Sequence, residues 1–260
     1  MIMSRWIRWG GWCAGLALSA LAADAAPRAE SNLLAPRVWF LDWKFGEVDY
    51  GQSPMTMLNY TTVYRDWYLQ MLAGYGEGWE TDARDALDQL GIETSTLDST
   101  TSKAKRLDLQ ALAGHSISLQ GLEDRFNLPV PLGPLFAGLG YHYIGWTFDS
   151  PLGKADTWYQ GPELMLGFNQ SLGARGLSLR VTTTYSPVIW YAGEAPAFDV
   201  EVDGTTSGYL FDGGMVYKLP AGRASAHVAA GYRRQRVQPD RPEFERDALT
   251  GFYVETGVNW

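Results

Sequence analysis

The chain of 260 residues is short of three things: cysteine, charge and long apolar runs. A single cysteine, Cys13, cannot build a disulfide framework. Beyond the first thirty positions no stretch of about twenty apolar residues occurs, which excludes a bundle of membrane-spanning helices. Basic residues are the minority, 21 Lys and Arg against 29 Asp and Glu, and the net charge of −8 argues against a nucleic-acid partner. Charged residues make up 19%, below the roughly 25% of a soluble domain. Cys/His spacings for a metal, phosphate-binding glycine loops and nucleophile elbows are missing too, so neither a metal nor another cofactor is expected. What the chain has in quantity is glycine (29), tyrosine (14), tryptophan (11) and phenylalanine (10). So many aromatics exclude a disordered chain.

The first twenty-five residues have the layout of a secretory signal peptide. Arg5 and Arg8 give a positive start, an apolar stretch runs from Trp9 to about Ala22, and small residues follow at Ala20-Leu-Ala22 and Ala23-Asp-Ala25. Trp12 before Cys13 is too large for a lipoprotein signal. Residues 1–25 are therefore expected to be an export signal, and 26–260 a single domain.

From there the chain alternates with period two. Phe252, Val254, Thr256, Val258 and Trp260 share one face of the last segment, and Tyr253, Glu255, Gly257 and Asn259 the other. Similar segments precede it: Arg223–Val237, Gly208–Leu219, Leu177–Tyr191, Asp156–Gln170, Leu135–Phe148, Lys103–Ser118, Trp67–Trp79, Met55–Tyr64 and Val38–Val48. Leu219-Pro-Ala-Gly222 and Arg65-Asp66 read as tight turns. Three connections read as long: Glu80–Ser102, Ala192–Ser207 and Gln238–Ala248. The count is about ten strands, or eight if the front folds differently. Ala83, Ala86, Leu87 and Leu90 recur at helical spacing, so a short amphipathic helix is expected in the first long connection. Its acids, Asp82, Asp85, Asp88, Glu93 and Asp98, lack the spacing of a calcium loop.

The distribution between the faces suggests a barrel turned inside out. One face is rich in Trp, Tyr, Phe and Leu; the other carries Gly, Ser, Thr and isolated charges, namely Asp42, Lys44, Glu163, Arg180, Asp212, Lys218, Arg233 and Glu255. In lipid every backbone polar group needs a partner, and a closed barrel supplies one without leaving an edge. Trp67, Trp79, Trp158, Tyr191, Tyr217, Phe252 and Trp260 lie near strand ends, as interfacial girdles require. The expected fold is all-β, a transmembrane antiparallel up-and-down barrel. The competing reading is a soluble secreted barrel with its apolar face inward.

With these features the chain resembles small bacterial outer-membrane β-barrel proteins. In that family the terminal aromatic and the apolar residues two, six and eight places before it form the signal read by the barrel-assembly machinery. The matching residues are Trp260, Val258, Val254 and Phe252, with Thr256 departing from a strongly apolar residue. Phe136-Ala-Gly-Leu-Gly-Tyr-His-Tyr143 and Tyr159-Gln-Gly-Pro-Glu-Leu164 are similar to strands of uncharacterised outer-membrane barrels. Leu41-Asp-Trp-Lys-Phe45 resembles strands of the ten-stranded omptin proteases, although no acid lies beside a histidine at their loop positions. The resemblance implies an outer-membrane location, outer-membrane lipids and lipopolysaccharide as surroundings, and the assembly machinery as partner. It leaves oligomeric state open.

The expected lumen residues are His142, Glu163, Arg180, Asp212, Lys218, Arg233 and Glu255. They would form a selectivity constriction, or a paired network that fills a narrow barrel. Pairing around Leu152 places His142 almost opposite Glu163, with Arg180 in diagonal reach of Glu163. His115 should face lipid, Ser116 should point the other way, and His227 should point inward with no obvious partner. No catalytic set emerges. The sequence supports a narrow channel for ions or small polar solutes, or a closed barrel with an envelope role. Two alternatives remain: an enzyme acting on lipid A or peptides, and an adhesin-like barrel binding through its long connections.

Overall fold

A computed structural model describes residues 31–45, 48–78, 81–82, 101–119, 125–126, 132–150, 153–173, 176–195, 200–221, 224–239 and 247–260. The expected export signal and the helix around Ala83–Leu90 lie outside the described residues.

The strands are β1 (Ser31–Phe45), β2 (Val48–Tyr64), β3 (Trp67–Glu77), β4 (Thr81–Asp82), β5 (Thr101–Ile117), β6 (Leu135–Ser150), β7 (Gly153–Ser171), β8 (Leu177–Ala195), β9 (Val200–Ala221), β10 (Ala224–Pro239) and β11 (Asp247–Asn259). All pairings are antiparallel between neighbours along the chain, and β11 returns to β1 with Arg37 opposite Glu255. Two-residue β4 extends the β3–β5 ladder. Glu77 pairs with Lys105, the Gly78 amide donates to the Ala104 carbonyl at 2.8 Å, and Thr81 pairs with Ser102. The ring of ten long strands is thus closed and has no free edge, so its backbone needs no water. No helix among the described residues is long and apolar enough to cross a membrane; the crossing elements are strands.

A membrane strand needs about 9–11 residues, and β9 has 22. The surplus lies at the end away from the termini. There the expected long connection Ala192–Ser207 is mostly ladder, with Tyr191 opposite Gly204 and Ala195 opposite Val200. Only residues 196–199 link the two strands. Likewise Gln238–Ala248 contracts to 240–246, and the turn expected at Leu219–Gly222 moves to 222–223. The expected contrast between short and long connections holds only in part. The far end also has the short links 46–47 and 151–152, and the terminal end carries the long connection 118–134.

The outer face is apolar. Phe252 is 70% exposed, with Leu139, Leu164, Phe40 and Val254 around the same wall. Trp67, Tyr217 and Trp260 mark the terminal end of this wall, and Tyr75 and Trp190 lie toward the other. His115 faces outward beside Trp67, the rings 5.4 Å apart edge to face. Inside are buried arginines and carboxylates. An outer surface this apolar around a charged interior suits lipid and excludes the soluble barrel, which would face water with its polar side.

Two expectations about faces are corrected. In β1 the inward residues are Arg37, Trp39 and Leu41, and Phe40 faces out; Asp42, expected inside, sits on the Phe40 side and is half-buried. The Lys44 side chain lies outside the described residues. Both faces of β1 are apolar, so hydrophobicity did not reveal their direction. In β8 a bulge between Ser186 and Ile189 adds one residue relative to β9, and Pro187, which has no amide hydrogen for the ladder, sits in it. The extra residue reverses the alternation, because each side-chain face repeats every two residues. Tyr185 and Trp190 face out, whereas Ile189 and Tyr191 join the interior. Tyr191, expected in an aromatic girdle, instead packs beside Tyr159 at 6.1 Å.

Candidate functional site

Every long strand contributes inward side chains, and they fall into three storeys. At the far end is an apolar plug: Trp39 and Leu41 from β1, Met55 and Met57 from β2, Ile144 and Trp146 from β6, Leu249 and Tyr253 from β11, with Tyr159, Ile189 and Val237 between them. Trp39 and Leu41 are fully buried. Trp146 stacks on Phe148 at 5.7 Å. Below the plug lies a charged waist. Below that, at the terminal end, is a chamber.

The waist contains four arginines (Arg37, Arg106, Arg180, Arg233) and four carboxylates (Asp108, Glu163, Asp212, Glu255), together with His142 and His227. One half centres on Glu255. Its Oε2 accepts from Arg37 Nε at 2.9 Å and Nη2 at 2.8 Å, and from Asn59 Nδ2 at 3.4 Å. Its Oε1 faces Arg180 Nη2 at 2.9 Å and His227 Nε2 at 3.1 Å. Arg37 Nη1 also binds Asp212, which accepts from Tyr253 Oη at 2.9 Å and lies 3.6 Å from Arg233 Nη1. The Arg37 guanidinium stacks 4.0 Å over the Tyr253 ring, and Arg233 lies 4.9 Å over Trp39. These stacks tie the waist to the plug above it.

Two glycines make room for Tyr253. A methyl group on Gly231 would meet the Gly213 carbonyl oxygen at 2.4 Å and Tyr253 Cζ and Oη at 2.5 Å, and one on Gly214 would meet Tyr253 Oη at 2.5 Å and the Ala230 carbonyl oxygen at 2.8 Å. The ring fills the space that two side chains on β9 and β10 would otherwise occupy.

The other half centres on His142. Nδ1 lies 2.8 Å from Glu163 Oε1, and Nε2 lies 2.6 Å from Asp108 Oδ1. Both ring nitrogens face carboxylate oxygens, and both can donate only in the imidazolium form. Gln110 donates to Glu163 at 2.7 Å; Arg106 Nη2 donates to Asp108 at 2.9 Å and to Gln235 at 2.8 Å, reaching across the barrel to β10. The two carboxylates approach His142 from opposite sides, so they share no focus for a cation. Among the described residues no group of three or more His, Cys, Asp or Glu could hold a metal. Charges in such a place must be matched: removing one partner of a buried pair leaves the other unpaired, at several kcal/mol.

The structure therefore brings His142 to Glu163, and Asp212 to Arg233. The expected contact from Arg180 to Glu163 does not form. The β7–β8 register sets Arg180 opposite Asn169, six residues along β7 from Glu163, and Arg180 turns to Glu255 instead. His227, expected to lack a partner, binds Glu255. Lys218 stands exposed at the terminal mouth, outside the waist. Sequence reasoning missed Arg37, Arg106, Asp108 and Tyr253 as members. Asp108 alternates with Leu107 and Leu109, and Arg37 lies two residues before Trp39, so parity within each strand carried a usable signal.

The chamber has a volume of about 200 Å³. Arg180, His227 and Gln70 lie on its waist side, held by Glu255 and Asn59; the Gln70 amide donates to Asn59 at 3.0 Å. Leu33, Val63, Phe136, Met165 and Val216 form apolar walls, and Lys218 and Asn259 stand at the mouth.

Phe252, Val254, Val258 and Trp260 all project outward from β11.

No protein-family model matches the chain, and no curated protein matches it. Solved structures resemble it in fold. The outer membrane protease OmpT from Escherichia coli is 8% identical, covering 92% of this chain and 99% of the protease, with a TM-score of 0.46. The translocator domain of the autotransporter NalP from Neisseria meningitidis is 11% identical, covering 99% and 96%, with a TM-score of 0.47. The P. putida toluene transporter TodX is 12% identical, covering 90% of each chain, with a TM-score of 0.36. These are likenesses of fold alone. The apolar wall, the charged interior and the closed ten-stranded ring together make this chain an integral membrane β-barrel.

Proposed function

We propose that this protein is a non-enzymatic outer-membrane barrel that is closed across its middle and serves the envelope as a sealed wall element with access from one end only. The observation that carries this reading is the succession of two seals: an apolar plug containing Trp39 and Trp146, and a charge-paired waist beneath it. His142, Glu163, Arg180, Asp212, Arg233 and Glu255 are the waist residues of this reading, and Lys218 guards the mouth. The end with the termini faces the periplasm. Phe252, Val254, Val258 and Trp260 form the outward strip presented to the assembly machinery and afterwards to lipid, and the outer wall contacts lipopolysaccharide. Residues 1–25 are removed on export. The burial of the acid–histidine–acid group within the waist favours this reading over an enzyme acting on lipid A or peptides. Adhesion through Glu80–Ser102 and Gln238–Ala248 is the alternative the sequence offers.

A second reading, a gated channel for small ions, is favoured by one observation. The waist is polar across its full width, and only the plug above it would have to yield. Planar-bilayer recording of the refolded chain separates the two. The closed reading expects a silent barrel, with Glu163→Gln and Arg180→Gln silent as well. Discrete steps in the unmodified protein, with ion selectivity altered by either substitution, would replace the sealed barrel by the channel.

A further inference from the structure

The geometry points to the terminal chamber as a binding site for a small organic anion with an apolar body, the size of an aromatic or six-carbon carboxylate. The volume sets the size. About 200 Å³ is the share of roughly seven waters, or one molecule of about ten heavy atoms. The walls set the body: Leu33, Phe136, Met165 and Val216 offer apolar surface on several sides. The charges set the head group. Among the described residues the lining includes Arg180, His227 and Lys218, and no aspartate or glutamate. Glu255, which holds Arg180 and His227, has a fully buried side chain and lies behind them, outside the lining. Its grip fixes the Arg180 guanidinium while leaving that side chain 21% exposed. A donor oriented in advance and backed by protein binds an anion without first having to be ordered. Lys218 at the mouth adds a second cation on the entry path. This inference goes beyond the sealed-barrel reading and stands whether or not the waist conducts.

Met165 lines the chamber, whereas Met55 and Met57 lie in the plug, which gives a local readout with internal controls. The refolded chain, labelled at its methionine methyl groups, is titrated with benzoate, hexanoate, benzyl alcohol and benzylamine and followed by NMR, with Met165→Leu assigning the signal. Benzoate and hexanoate should move the Met165 methyl saturably while Met55 and Met57 stay in place. Benzyl alcohol should bind at least tenfold more weakly, and benzylamine should not bind. Lys218→Gln should weaken benzoate several-fold. Gly167 is also in the wall, and a methyl group added there meets nothing closer than Thr182 Oγ1 at 3.5 Å; Gly167→Leu should therefore fold, fill the chamber and abolish the shift. Benzyl alcohol binding as well as benzoate would overturn the anion assignment. Millimolar benzoate leaving Met165 unmoved, or titrating Gly167→Leu unchanged, would overturn the site. If Gly167→Leu does not fold, unchanged benzoate affinity in Lys218→Gln overturns the charge argument by itself.

Discussion

Replacing Glu255 by glutamine tests the waist most directly. The shape is kept and one negative charge is removed from the point where Arg37, Arg180, His227 and Asn59 converge. Arg37 retains Asp212, so the loss falls on Arg180 and His227. Truncating one member of a buried pair costs about 3–5 kcal/mol. Arg180 is 21% exposed and can recover part of its hydration from the chamber, which puts Glu255→Gln near the lower end, about 3 kcal/mol. That is a large share of a typical folding stability of about 5–15 kcal/mol. The assay is urea unfolding of the refolded barrel in lipid vesicles, followed by tryptophan fluorescence. Removing the stranded cation should return part of the loss, so Glu255→Gln/Arg180→Gln should be more stable than the sum of its single substitutions by about 1–2 kcal/mol. A cost below about 1 kcal/mol for Glu255→Gln, the level of an exposed pair, would refute a desolvated waist. Strict additivity would refute the coupling of the two residues.

Two further substitutions probe other storeys and faces. Gly231→Ala pushes a methyl group against the Gly213 carbonyl and into Tyr253 and should cost about 1–3 kcal/mol by overpacking; in a Tyr253→Ala background the same urea titration should show a smaller cost, the share left by the backbone contact, and equal costs in both backgrounds would break the link. Val254→Lys sets a charge on the outer wall, where Val254 pairs with Val38 in the middle of β11, and should cost about 2–4 kcal/mol. If Val254→Lys proves as stable as the parent in vesicles, this wall does not meet hydrocarbon.

The architecture was legible because the strands from β5 onward carry their polarity on one side. Leu107, Leu109, Asp108 and Gln110 alternate without a break, and the same holds for Phe252 through Glu255. The front strand was ambiguous for a physical reason: Trp39 and Leu41 enter the plug while Val38 and Phe40 meet lipid, so both environments select the same kind of residue. There Arg37 was the informative residue, since a lone arginine in an apolar strand has only the interior to occupy. The reversal at Tyr191 was hidden in the Pro187 bulge, a one-residue insertion that composition does not reveal. Contacts across the barrel, such as Arg106 with Gln235, depend on tilt and stagger of the whole ring, which no single strand encodes. Arg180 shows the same limit. Its inward direction follows from parity, but its partner follows from register, and the diagonal guess joined it to the wrong glutamate.

The join between β1 and β11 has a consequence for how the ring comes together. Arg37 belongs to the first strand and Glu255 to the last, and they face each other only after the two ends of the chain meet. Until then an unsealed sheet would carry Arg37 into the bilayer without its glutamate, and Glu255 without the arginine that grips it twice. Partly zipped forms are penalised by several kcal/mol that the finished circle does not bear. The ion pair acts as a latch whose two halves come from the first and the last strand, so that closure of the ring is rewarded when those two strands meet.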